Sequence, residues 1–99
     1  MLMINGTYSI SMQMPDGVET GKVTFTETEG RLNGTLKAGN ASSSFSDGMV
    51  NGNHFEFSGI MKKLFLKIPY TAKGEVQGNI LSATADTKYG IFNIKGSRI

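Results

Sequence analysis

Apolar and polar residues alternate with a period of two along almost the whole chain, and no stretch keeps the i, i+3, i+4, i+7 spacing of an amphipathic helix. The run "GTYSISMQM" (6–14) places Tyr8, Ile10, Met12 and Met14 on one face and Thr7, Ser9, Ser11 and Gln13 on the other. Successive side chains of a strand point to opposite faces, so this pattern predicts a strand with one buried side. Residues 18–28 follow with Val23 and Phe25 inward, and 31–38 with Leu32, Gly34 and Leu36. A short strand is predicted over 41–46, centred on Phe45, with a hairpin turn after it at Asp47-Gly48. Two more apolar stretches, 54–60 and 64–73, turn Phe55, Phe57, Leu64, Leu66, Ile68 and Tyr70 inward. Pro69 marks the second of them as an edge, a bulge or a bend, because proline cannot donate to a strand ladder. Residues 79–87 and 91–98 complete the series, with Leu81, Ala83, Phe92 and Ile94 inward.

Between these stretches lie turn signals: "PDG" (15–17), "TEG" (28–30), "AGN" (38–40) and "TKYG" (87–90). A weak repeat, "LNGTL" (32–36), "VNGNHF" (50–55) and "VQGNIL" (76–81), reads each time as a hairpin turn or a glycine kink feeding a strand. No connection is long enough for a parallel crossover. The expected fold is therefore all-β: an antiparallel up-and-down meander of about eight strands forming a small barrel, one domain over 1–99. An eight-stranded barrel is just wide enough either to fill with side chains or to hold one small ligand. Gly34, Gly59, Ala72, Ala85 and Gly96 among the inward positions would open such a cavity, or merely offset the large aromatics. If there is a pocket, Tyr8, Met12, Phe57 and Tyr70 are the candidates for its wall: methionine adapts, and tyrosine adds a polar tip.

Composition narrows the function classes. With 99 residues, 38% hydrophobic and 18% charged, the chain has enough apolar content for one core. Ten Lys/Arg against eight Asp/Glu give a formal charge of +2, and Lys62-Lys63 is the only adjacent basic pair. Such dispersion argues against nucleic acid as a partner. There is no cysteine, hence no disulfide, no thiolate nucleophile and no zinc site built on sulfur. That suits a reducing compartment. The opening "MLMING" lacks the apolar run of about 7–15 residues that a signal peptide needs, and nothing reaches the length of a membrane span. The expectation is a cytoplasmic location ahead of a secreted or periplasmic one.

The one histidine, His54, stands two residues from Glu56, so the two share a strand face. Phe55 and Phe57 alternate with them and claim the inner face, which leaves His54 and Glu56 in water. Catalysis or metal binding would need further partners that the sequence does not supply. Asp16, Asp47 and Asp86 lie at or near turns, where aspartate bonds its own backbone. No catalytic residue, metal ligand or cofactor is assigned. Phe65 points opposite to Leu64 and Leu66, and with Ile60 and Ile91 it offers a small outward apolar patch suited to a homodimer or a protein partner.

Gly6-Thr7-Tyr8 on the first strand and Gly96-Ser97-Arg98 at the end of the last resemble the calycin-type, lipocalin-like barrels. In that superfamily a Gly-x-Trp and a late arginine pack together to close one end of the barrel. The resemblance implies that Tyr8, in place of tryptophan, and Arg98 close the barrel here. The runs "SDGMVNGNHFEF" (46–57) and "IPYTAKGEVQGN" (68–79) are also similar to a group of small bacterial lipocalin-like proteins, many of them of unassigned function. The leading expectation is non-catalytic binding of a small apolar or amphipathic ligand in the barrel interior. The alternative is a protein-interaction or homo-oligomerisation module with a filled core, and an enzyme ranks third.

Overall fold

The computed structural model describes residues 4–14, 17–63 and 65–99, with the side chain of Met14 left out. Eight strands follow one another: β1 (Gly6–Met14), β2 (Gly17–Thr28), β3 (Arg31–Ala38), β4 (Ala41–Asn51), β5 (His54–Lys63), β6 (Leu66–Gln77), β7 (Ile80–Thr87) and β8 (Gly90–Arg98). Each pairs antiparallel with the next, and β8 pairs back onto β1, closing an up-and-down barrel. Leu64, the side chain of Met14, and Pro15 and Asp16 of the "PDG" turn, all named from the sequence, lie outside the described residues.

Alternation converts directly into burial. Tyr8, Ile10 and Met12 of β1, Val23 and Phe25 of β2, and Phe55 and Phe57 of β5 are all buried, with their neighbours exposed or partly so. Phe25 is the hub of the core: its ring lies 5.6 Å from Tyr8, 5.9 Å from Phe45, 5.0 Å from Phe55 and 5.8 Å from Phe57. Glycines make room for these rings. A Cβ on Gly34 would meet the Thr24 carbonyl oxygen and the Phe45 ring, and one on Gly48 would come within 2.9 Å of the Phe57 Cβ.

Two expectations need correction. Asp47-Gly48 is not a hairpin; β4 runs through it to Asn51. Asp47 adopts φ 62° and its N–H donates to Asn33 Oδ1 at 3.3 Å. One extra residue enters β4 there, and the pairing with β3 shifts between Leu32 and Gly34. The bulge reverses the alternation, so Ala41, Ser43 and Phe45 face inward before it and Gly48 after it. The chain turns instead at Gly52-Asn53, where Gly52 supplies φ 66°. Leu66, in turn, is not in the core but 56% exposed. It keeps the inward phase of Ile68 and Tyr70 but lies beyond the rim, with no opposite wall to bury against.

Pro69 sits where it costs no ladder bond. β6 pairs with β5 from Leu66 to Glu75 but with β7 only from Thr71 onward, so around Pro69 it has a neighbour on one side alone.

Candidate functional site

The two ends of the barrel differ. At the end that carries Gly6 and Arg98, Ile4, Tyr8, Leu32 and Val76 are completely buried. Tyr8 and Arg98 are direct partners across the β1–β8 seam. The Arg98 guanidinium lies over the Tyr8 ring, 5.2 Å from its centroid, and Nη2 donates to the Tyr8 hydroxyl at 2.6 Å. That hydroxyl donates onward to the Ile4 carbonyl oxygen at 2.7 Å. One tyrosine thus holds Ile4, two residues before β1, and the last strand together, and the end is sealed.

The opposite end is open. From mid-barrel to this mouth runs a cavity of about 180 Å³, walled by aliphatic and aromatic side chains including Met12, Phe25, Phe57 and Tyr70. Ala38, Ala41, Ala72, Ala83 and Ala85 all face it. The small inward residues therefore do two jobs: glycines offset the aromatic rings, and alanines leave space. Of the wall candidates from the sequence, Met12, Phe57 and Tyr70 line the cavity. Tyr8 does not, because its hydroxyl is committed to Ile4 and Arg98 beneath the cavity floor.

Polar chemistry inside is sparse and specific. The Tyr70 hydroxyl shares a hydrogen bond of 2.8 Å with Ser43 Oγ, and both residues are buried. Gly59 permits this pair: a Cβ there would approach the Tyr70 hydroxyl to 2.8 Å and Ser43 Oγ to 2.9 Å. Burial raises the Tyr70 pKa above its ordinary value of 10.0, outweighing the opposite effect of the Ser43 bond. At the rim, Glu19 of β2 and Lys63 of β5 both line the cavity and approach to 3.9 Å across its mouth. A half-exposed pair of this kind contributes little to stability. It does place one carboxylate and one ammonium at the entrance of an apolar chamber.

Glu19, Lys63 and Ser43 were not singled out from the sequence, although each had a readable signal. Glu19 shares the phase of Val23 and Phe25, Lys63 that of Phe55 and Phe57, and Ser43 that of Phe45. A polar residue in the apolar phase of a strand is what marks a cavity or its mouth. His54 and Glu56 are exposed on the outer face, where their cross-strand partners are Glu75 and Lys73. Among the described residues no three His, Cys, Asp or Glu side chains come together as metal ligands would, and no helix is long and apolar enough to cross a membrane.

Tyr70→Phe should cost about 1–2 kcal/mol near neutral pH, because it strands the buried Ser43 hydroxyl. It should also change the alkaline limb. A tyrosine whose folded pKa is raised contributes its full share of stability below pH 10.0 and loses it as pH climbs toward the folded value. Urea titrations above pH 10 should therefore fall more steeply for the wild type than for Tyr70→Phe; parallel curves would show that this hydroxyl is not desolvated.

Fold and site together define a closed, eight-stranded, up-and-down antiparallel barrel with an apolar chamber open at one end. No family model and no curated protein matches the chain.

Proposed function

We propose that this chain is a lipocalin-like, calycin-type barrel of the kind found in the small bacterial group it resembles, and that it binds a small apolar or amphipathic molecule without catalysis. The observation that carries the reading is the alanine-walled cavity of about 180 Å³ with Tyr70, hydrogen-bonded to Ser43 behind it, in its wall and one charge pair at its mouth. The Tyr8–Arg98 contact, which matches the closing contact of that superfamily, supports the family reading.

Volume sets the ligand class. A cavity of about 150 Å³ takes a benzene-sized molecule, whereas pockets for drug-sized ligands start near 300 Å³. The chamber therefore suits a single ring or a short alkyl chain, with any polar group at Tyr70 or between Glu19 and Lys63. Burying about 200 Å² of apolar surface gains about 5 kcal/mol, so affinity from burial alone is in the submillimolar range.

Thermal unfolding in the presence of benzene-sized aromatics and C4 to C10 alcohols tests this. At about 100 times Kd a ligand adds roughly 2.7 kcal/mol, a rise of about 10–20 °C for a domain of this size. The gain should peak at one chain length and disappear in Ala85→Leu, which fills the chamber. A wild type that gains nothing from any member of the series overturns the reading.

A further inference from the structure

The hairpin of β5 and β6 outruns its neighbour at the open end. β6 leaves β7 after the Thr71–Asp86 pair, while its pairing with β5 continues to Lys63 and Leu66. The residues from Leu66 to Tyr70 extend past the β6–β7 ladder by roughly 16 Å, at about 3.3 Å per residue. At the tip, Phe65 is fully exposed and Leu66 is 56% exposed. Between Glu56 and Glu75 the chain holds Lys62, Lys63, Lys67 and Lys73 and no acidic residue. The neighbouring β7–β8 hairpin adds exposed Tyr89 at its turn and Ile91 in β8, with the Lys88 ammonium 5.4 Å from the Tyr89 ring centre.

We propose that this rim docks the barrel on an anionic lipid surface, with Phe65 and Leu66 entering the headgroup layer and Lys62, Lys67 and Lys88 facing lipid phosphates and carboxylates. Apolar tips flanked by lysines gain both from burial at the interface and from the negative surface potential. Two other occupants fit less well. In a two-fold dimer the same patch meets itself, and the lysines of one copy would oppose those of the other. Single-stranded nucleic acid binds in basic grooves with successive aromatic platforms, whereas this rim carries its two exposed aromatics, Phe65 and Tyr89, on separate hairpins and mixes them with Leu66 and Ile91. Asp86 and Glu19 are the acidic groups near the rim among the described residues, and Glu19 already faces Lys63. The inference rests on the β5–β6 and β7–β8 hairpins of the rim and does not require a filled cavity.

Vesicle flotation of the full chain is the test, with phosphatidylcholine alone and with about 30 mol% phosphatidylserine added. Expected is binding to the phosphatidylserine vesicles only, weakening with salt. Lys62→Gln and Lys67→Gln should each lower partition about fivefold. Phe65→Ser should abolish binding while leaving the unfolding midpoint unchanged, since the residue it replaces buries nothing. The proposal is overturned by no binding of the wild type at low salt, by undiminished binding of Phe65→Ser, or by capture of a single-stranded oligonucleotide in place of the vesicles. A wild-type dimer that Phe65→Ser splits, with no vesicle binding, overturns it in favour of self-association.

Discussion

Phe25→Ala is expected to lower the unfolding free energy by about 3–5 kcal/mol, the range for removing a phenylalanine from a packed core. The upper half of that range is the expected outcome here. Phe25 touches four other aromatic residues, carried on β1, β4 and β5, and no single neighbour can move into its place. The Phe45 and Phe57 rings are already stacked on each other at 3.9 Å, which holds both away from the void. Against a total stability of about 5–15 kcal/mol for a small domain, this one truncation takes a large share. Because Phe25 also lines the cavity, the variant that still folds should accept a larger ring than the wild type does. Urea titration gives the first number and the ligand series the second. A loss below about 1 kcal/mol would mean that the barrel collapses around the gap and that the aromatic cluster is not a rigid hub.

Arg98→Ala is expected to cost about 2–4 kcal/mol, lowering the unfolding midpoint by roughly 10–20 °C. Three losses combine: a charge-assisted hydrogen bond to the Tyr8 hydroxyl, a cation over an aromatic face, and the packing of the arginine stem. Arg98→Lys should recover less than half, because an ammonium cannot stack as a planar guanidinium does. Tyr8→Phe severs the same link from the other side and releases the Ile4 carbonyl as well. The two substitutions together should therefore cost less than their sum, since they break one shared network. Calorimetry of both single variants and the double variant checks this; an unchanged midpoint for Arg98→Ala would remove the closing role.

Much of the fold was legible because strands bury one face. The phase of Tyr8-Ile10-Met12, of Val23-Phe25 and of Phe55-Phe57 fixes which side of each strand is inner, whatever the partners are. Local turn chemistry was less decisive. Asp-Gly serves a hairpin and a bulge equally well, since both residues tolerate the positive φ that a type I′ turn needs twice and the bulge here needs at Asp47 alone. Only the second signal at Gly52-Asn53, four residues on, separates the cases. Leu66 illustrates a different limit: alternation assigns a phase, but whether an inward residue is buried depends on how far the neighbouring strands reach. The cavity itself was not legible from one sequence. It arises from the difference between alanines at the open end and glycines paired with rings at the other, a balance of volumes set only once eight strands are in register.

The β1–β8 seam carries one more consequence. Seven of the eight strand pairings join consecutive strands and can form as local hairpins, but the eighth unites residues as far apart as Tyr8 and Arg98, 90 positions along the chain. A curved ribbon of hairpins must therefore bring its first and last strands together late, against the entropy of closing nearly the whole chain into a loop. The tyrosine and arginine that seal one end also mark the last meeting in the assembly of the barrel, so changes at that seam act chiefly on the unfolding rate where changes within an earlier-formed hairpin act on folding.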